Sequence, residues 1–597
     1  MALTRPGATK SGLCSLPKKL ILQICWELAY DGNDSASPKE LLPCAYTCRY
    51  ISDPALDVVW DTLPSMSPMF RLLLPEDLRV FRSINTVSRD WFEVEHDAIR
   101  LELDLLREPT PVDFLRWAKY ASRVRRVDAS AIRGTFNLSE AQPKEKKQKK
   151  KYLSLAPLLA SALIDKLQAH CPTPLLPNIR TLSYCEESFE TGDGALVVLP
   201  ASAHLQPALK AVSLGLALPH VDPDLHVRDI INRLSLVAPR IERLSLWINV
   251  PSFINGPDPL SEGPYSTLRG MGIYRLSGLT SFTVAHISVA LEPLLCLGWL
   301  PCLRKLDIQP PMDPYGWSFN PRGRHFEFFP ALEELRLTGK EGSHQDCIDF
   351  LGAITPTSLR TVSLDLRWPE DGTAEALFTS LCVALGGLPC RSTVKDIKMT
   401  IGSNIVHGSN IYRPPSLAPL LQLHALETLT IQGGPKVILD DEMLGAMSHA
   451  WPQIRIIQFA WPTPPKTYPV YAPDHPRATL AGLASLVLRC AHLEELEVAF
   501  DMRVVPDFDG SPPVSMKNTG VCKVQTLWTT GCVPGDPWAV ASFLSLVLPQ
   551  LSVFAGSRTS YETWKRTEAF YRQFVALRRQ ERDWALDRGK NEDLACP

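Results

Sequence analysis

The stretch PALEELRL, residues 330–337, decides the fold. Leu332, Leu335 and Leu337 are apolar, and Glu333, Glu334 and Arg336 fill the places between them. Side chains of an extended strand alternate between two faces, so Leu335 and Leu337 turn one way and Glu334 and Arg336 the other. Leu332 anchors the turn into the strand. Pro330 stands just ahead of it, and a residue without an N–H marks where a strand starts rather than its interior.

The same phrase (apolar, two polar, apolar, polar, apolar) recurs along the chain. Its first apolar residues are Ile179, Leu209, Ile241, Leu279, Leu303, Leu332, Leu359, Val394, Leu426, Ile454, Leu493, Val524 and Leu551, the last two being weaker matches, and an earlier copy begins at Val124. The thirteen from 179 to 551 span 372 residues over twelve intervals, a mean of 31, with single intervals from 24 to 39. Regular leucine-rich repeats run about 20–29 residues, so this array is long in period and irregular. Between phrases lie segments with apolar residues at helical spacing: Arg228–Val237, Ala374–Leu385, Asp440–Ala450, Ala478–Cys490 and Trp538–Leu548. Asp440 and Asp536 are placed to cap two of them. Strand, loop, helix and loop in repetition predict an α/β fold: an irregular leucine-rich-repeat solenoid over 124–556, with a curved parallel sheet and helices on its outer face.

Composition fits such an array. The chain has 597 residues, too many for one compact core, and repeats that pack only on their neighbours use that length without one. With 62 Lys+Arg against 64 Asp+Glu the net charge is −2, which points to neither a nucleic-acid partner nor a membrane surface. The 15 Cys form no CxxC pair and several, such as Cys296, Cys382 and Cys490, lie in apolar runs, the pattern of reduced core thiols. No signal-peptide core and no membrane-spanning stretch is seen, so the cytoplasm, the nucleus or both are the expected location.

Residues 13–63 read differently. Leu20, Ile21, Ile24 and Leu28 share a helix face after Ser15-Leu16-Pro17, and Glu40 to Ile51 reads as a second helix with Leu41, Leu42, Ala45 and Cys48 together. A third begins near Asp53-Pro54 and runs to Trp60–Leu63. Leu16-Pro17, Leu20-Ile21, Ile24, Cys48-Arg49, Val59-Trp60 and Leu63 resemble an F-box, the helical module that binds the Skp-type adaptor of cullin–RING ubiquitin ligases. Lys19 departs from the family, which commonly has Glu there. Residues 66–127, with Phe70–Leu74, Arg107-Glu108-Pro109-Thr110 and Phe114–Arg125, resemble the linker of fungal F-box proteins with degenerate leucine-rich repeats, and 64–123 are read as a helical linker.

That resemblance implies a substrate receptor of an SCF-type E3 ligase. Leu16, Pro17, Leu20, Ile21, Ile24, Leu28, Leu42, Cys48 and Trp60 would contact the adaptor, and through it a cullin, while the repeats hold a protein substrate. The alternative that stays open is a helical cap on a leucine-rich-repeat scaffold or GTPase regulator. Neither reading asks for a cofactor, a metal or a catalytic residue, and GxSxG, HExxH and GxxxxGK[ST] are absent from the sequence. Candidate target-facing positions are Arg180, Lys210, Glu242, Arg243, Lys305, Glu333, Glu334 and Arg360, mixed in sign. Lys144–Lys151 reads as a solvated Lys-rich loop within 140–151 or a nuclear-import signal, set between the first phrase and a helix expected over Leu153–His170. Residues 557–597 read as a C-terminal helix and tail, with Tyr561, Trp564, Tyr571, Phe574 and Arg578 on one stripe that either caps the last repeat or binds a partner.

Overall fold

A computed structural model describes residues 16–29, 41–63, 67–89, 95–128, 153–158, 161–185, 188–191, 196–198, 205–217, 223–249, 266–270, 272–311, 317, 328–339, 343–367, 373–402, 411–433, 436–459, 476–506, 522–555 and 561–593. The chain forms two compact units, 1–287 and 288–597. The Lys-rich run at 144–151 lies outside the described residues.

The first unit opens with three helices, α1 (Lys18–Ala29), α2 (Leu41–Thr47) and α3 (Arg49–Asp61). Its parallel strands are β1 (Thr62–Leu63), β2 (Arg126–Asp128), β3 (Thr181–Cys185), β4 (Ala211–Ala217), β5 (Arg243–Asn249) and β6 (Ser281–Val289), paired in that order. In the second unit β7 (Lys305–Gln309), β8 (Glu334–Gly339), β9 (Thr361–Arg367), β10 (Asp396–Gly402), β11 (Thr428–Gly433), β12 (Ile456–Phe459), β13 (Glu495–Glu497), β14 (Thr526–Trp528) and β15 (Val553–Ala555) continue the same parallel pattern.

Every strand from β2 onward starts two residues after the first apolar residue of its phrase. Those first residues are fully buried from Val124 to Val524, and Leu551 nearly so. The fourth and sixth residues, such as Leu244 and Leu246 or Leu335 and Leu337, are also buried. The second residue has a backbone task. Its carbonyl accepts two N–H groups from the next phrase: Arg180 O from Lys210 N and Ala211 N at 2.8 and 2.9 Å, and Glu333 O from Arg360 N and Thr361 N at 2.8 and 3.1 Å. This satisfies the polar backbone at the strand start without any side chain, so that position is free to vary.

Helices return the chain between strands: α4 (Ser67–Leu73), α5 (Leu115–Ala121), α6 (Ser161–His170), α7 (Pro223–Val237), α8 (Leu291–Gly298), α9 (His344–Ala353), α10 (Ala374–Gly386), α11 (Asp441–Ala450), α12 (Leu480–Arg489), α13 (Pro537–Val547) and α14 (Tyr561–Asp593). Their starts follow the capping residues. Asp440 accepts from Met443 N at 2.8 Å, Thr479 from Ala481 N at 3.1 Å and Asp536 from Ala539 N at 2.9 Å. At the end of β11, Gly433 has φ +110°, and a Cβ there would lie 1.9 Å from Ile401 O, so only glycine fits. Among the described residues no helix is long and apolar enough to cross a membrane.

Four expectations are corrected. The ladder begins at β1 rather than at Val124: Thr62 and Leu63 pair with Arg126 and Val127, and Arg125 N donates to Asp61 O at 2.9 Å. The segment 64–123 is not a helical linker. It carries an antiparallel hairpin, Arg79–Arg89 with Glu95–Leu105, whose second strand alternates Ile99, Leu101, Leu103 and Leu105 with polar residues, the period of a strand. Residues 153–170 are a strand, Leu153–Leu158, followed by α6, not one helix. Glu40 to Ile51 is broken at Cys48, whose extended backbone (φ −158°, ψ 158°) ends α2 and begins α3, with Pro54 inside α3 rather than at its start. Proline inside a helix removes one backbone bond, and here Pro54 is buried.

The aromatic stripe of α14 packs as a cap. Trp564 and Tyr571 are buried, Tyr571 donates to Leu548 O at 2.6 Å, and Arg578 Nε donates to Ser545 Oγ at 3.0 Å. Tyr561 is exposed. Thiols follow the core reading: burial pushes Cys490 and Cys532 up to about 12, which keeps them protonated and inert.

Candidate functional site

The helical module is built around Ile21, Cys25 and Ala29 of α1, Leu41 of α2, and Ala55 and Val58 of α3. Their spacing on α1, i, i+4 and i+8, is one helical stripe. Leu16 is half-buried against this core, and its carbonyl accepts from Tyr50 Oη at 2.8 Å, which fastens the start of α1 to α3. Pro17 O then accepts from Leu20 N at 2.9 Å and from Ile21 N at 3.2 Å, turning the chain into the helix.

A second apolar stripe lies beside the first, about 100° around the helix. Leu20 and Leu28 are 46% and 48% exposed, and Ile24 between them is half-buried. On α2, Leu42 is 41% and Tyr46 85% exposed, four residues apart and therefore on one face. Pro17 and Pro43 are exposed too. An isolated exposed leucine needs no account, but apolar residues repeated at helical spacing on two neighbouring helices mark a surface able to bind another apolar surface.

The nine residues singled out in the sequence thus divide by position. Pro17, Leu20, Leu28 and Leu42 offer exposed surface, and Ile24 offers part of itself. Ile21 belongs to the core and Leu16 braces it. Cys48 is half-buried at the α2–α3 break. Trp60 is buried, its ring 5.1 Å from that of Tyr120 and tilted 45°. It occupies the first position of a phrase cut short, Trp60-Asp-Thr-Leu63, with β1 starting two residues later. Trp60 therefore joins the module to the ladder, and its side chain is not available to a partner. Arg123 strengthens the joint, donating to Asp53 O at 2.9 Å and pairing with Asp53 and Asp57. Tyr46 was not singled out from the sequence. The signal that finds it is its i, i+4 relation to Leu42.

Behind the joint, Arg107 bridges Asp77 at 2.8 Å and Asp113 at 2.7 Å. Asp113 also accepts from Thr110 N and Thr110 Oγ1, each at 2.8 Å, closing a capping box at the start of the turn leading to α5. The Arg107 guanidinium holds the Asp113 carboxyl well below the usual carboxylate range, and the Thr110 bonds add to it.

On the ladder, the mixed signs of the strand-start residues resolve into pairs between adjacent phrases. Lys210 meets Glu242 at 2.6 Å, Arg304 meets Glu333 at 3.4 Å, Lys305 meets Glu334 at 2.8 Å, Lys395 meets Glu427 at 2.5 Å and Arg455 meets Glu494 at 2.9 Å. All are partly exposed, so each contributes little to stability. Each such pair is locally neutral. Of the eight target-facing candidates, Lys210, Glu242, Lys305, Glu333 and Glu334 are engaged in this way, and Arg180, Arg243 and Arg360 form no ion pair within the described residues.

Compared with known proteins, the chain matches no protein-family model and no curated protein sequence.

Proposed function

We propose that the chain is the substrate-recognition subunit of an SCF-type ubiquitin ligase: an F-box formed by α1–α3 docks a Skp-type adaptor, and the leucine-rich-repeat ladder holds the protein to be modified. The observation that carries the reading is the outward apolar stripe of Leu20, Ile24 and Leu28 with Leu42 and Tyr46, on a module whose core is already filled by Ile21, Cys25, Leu41, Ala55 and Val58. Fold stability does not explain that stripe, and a helical partner with an apolar face does. The rigid joint through Trp60, Tyr120 and Arg123 supports it further, since a receptor must hold its target at a fixed place relative to the ligase.

In this reading the chain supplies proximity, and the ubiquitin transfer takes place on other subunits. Holding a target lysine beside the charged carrier raises its effective concentration, to the millimolar range for short tethers. The test is co-purification of the full chain with a purified Skp-type adaptor. Wild type forms a complex, and Leu20→Ser with Leu28→Ser abolishes it while the melting temperature holds. Leu16 is a poor probe, because it braces the core. A wild-type chain that never binds the adaptor ends the proposal.

A further inference from the structure

Along the ladder, charges on the face opposite the core generally meet a charge of the other sign. Arg336 on β8 faces Asp365 on β9 at 3.9 Å, and the strand-start residues pair in the same way. Glu497 on β13 is one of the exceptions. Its neighbours in the chain, Leu496 and Val498, are buried in the core, so strand alternation turns Glu497 to the opposite face. It is only 9% exposed, and within the described residues it has neither a hydrogen bond nor an ion pair. Burial alone pushes its carboxyl up from the usual carboxylate range. In register beside it stand Gln458 on β12 and Trp528 on β14. Trp528 Nε1 is buried and has no acceptor. Gln458 is occupied: it donates to Glu495 at 3.1 Å and accepts from Thr430 at 3.3 Å. The nearby cation, Arg455, is bidentate to Glu494 at 2.9 and 3.2 Å. Among the described residues the patch therefore holds two carboxylates, Glu495 and Glu497, an indole, and no cation of its own.

Glu497 is largely buried with no partner for its carboxyl among the described residues, its oxygens still reaching solvent, and Trp528 Nε1 is sealed without an acceptor; natural chains tolerate such groups where a ligand completes them. The two defects are complementary in kind. One lacks a donor or a cation, the other an acceptor, and they sit on adjacent strands. We propose that this patch binds a basic side chain, lysine or arginine, of a bound polypeptide, with the Glu497 carboxylate as its counter-ion and a main-chain carbonyl of the same polypeptide accepting from Trp528 Nε1. On binding, the Glu497 carboxylate accepts from the ammonium or guanidinium. The indole ring of Trp528 adds a favourable surface for the cation. This deepens the receptor reading by giving the chemistry of the target, but it stands on the ladder alone.

The test uses the full chain without any adaptor, so its outcome is separate from that of adaptor docking. Labelled protein is applied to an array of short peptides that differ at one central residue, Arg, Lys, Ala or Glu. Retention on Arg and Lys peptides is expected to exceed that on Ala and Glu peptides about tenfold, as for a charge-assisted contact at a desolvated site. Glu497→Gln, nearly the same shape, should erase the preference, and Trp528→Phe should lower retention while leaving the preference. Glu497→Leu should melt no lower than wild type, because it removes an uncompensated carboxyl. No preference for cationic peptides, a preference that survives Glu497→Gln, or a fall in melting temperature for both Glu497 variants would each overturn the assignment.

Discussion

The helical module and the ladder use their apolar residues in different ways. In the ladder, the first, fourth and sixth residues of the phrases from Leu209 to Ile454 are buried, and the polar residues between them pair across strands. In the module, α1 carries two adjacent apolar stripes. Ile21, Cys25 and Ala29 go inward, while Leu20 and Leu28 face solvent. The ladder is complete as a folded object. The module carries more apolar surface than its described core takes in, and that surplus is the surface the proposal assigns to the adaptor.

Two substitutions of the same kind, one in each region, probe that contrast hardest. Leu335→Ala empties a fully buried site in β8 and should cost about 2–5 kcal/mol, read as a large fall in melting temperature. Leu20→Ala should change stability by no more than about 0.5 kcal/mol. Equal costs would mean that the outward stripe belongs to the core after all, and the contrast would fail.

A smaller effect sharpens the joint between the regions. Asp113 has its carboxyl depressed in the fold, so its contribution is present above the unfolded value, about pH 4, and is lost as pH falls through the folded one. Asp113→Asn should therefore melt lower than wild type at neutral pH, and the gap should narrow as the solution is made more acidic than about pH 4. A gap that is constant with pH would remove the charge from the account. The smallest effect concerns the strand-start pairs. Lys395→Ala should cost about 0–1 kcal/mol, with less lost at high salt, since Lys395 and Glu427 are both partly exposed. A larger loss would show that the pairs hold the ladder together.

What could be read from the sequence followed from how local the signal was. The phrase fixes strand starts because each residue of it has its own task, including the second, whose carbonyl takes two N–H groups. The short phrase at Trp60 escaped because Pro64 cuts it after one apolar strand residue. The hairpin at 79–105 was hidden by treating 64–123 as a linker, although Ile99, Leu101, Leu103 and Leu105 alternate as a strand should. For the module, sequence could name the apolar residues of α1 but not sort them. Leu20, Ile21, Leu22, Ile24, Cys25, Trp26, Leu28 and Ala29 cover nearly the whole circumference, and only packing against α3 selects which side is buried. Glu497 was invisible for the same reason, since a charged residue at that place in the phrase is ordinary until its neighbours are known to lack a counter-charge.

The most direct test of the central claim is binding of the Skp-type adaptor, measured by titration, to wild type, to Leu20→Ser with Leu28→Ser, and to Leu42→Ser with Tyr46→Ser. The account predicts a complex with wild type and losses of at least about tenfold in affinity for each double variant, with melting temperatures held near that of wild type. Undiminished binding by both double variants, or none by wild type, would contradict it.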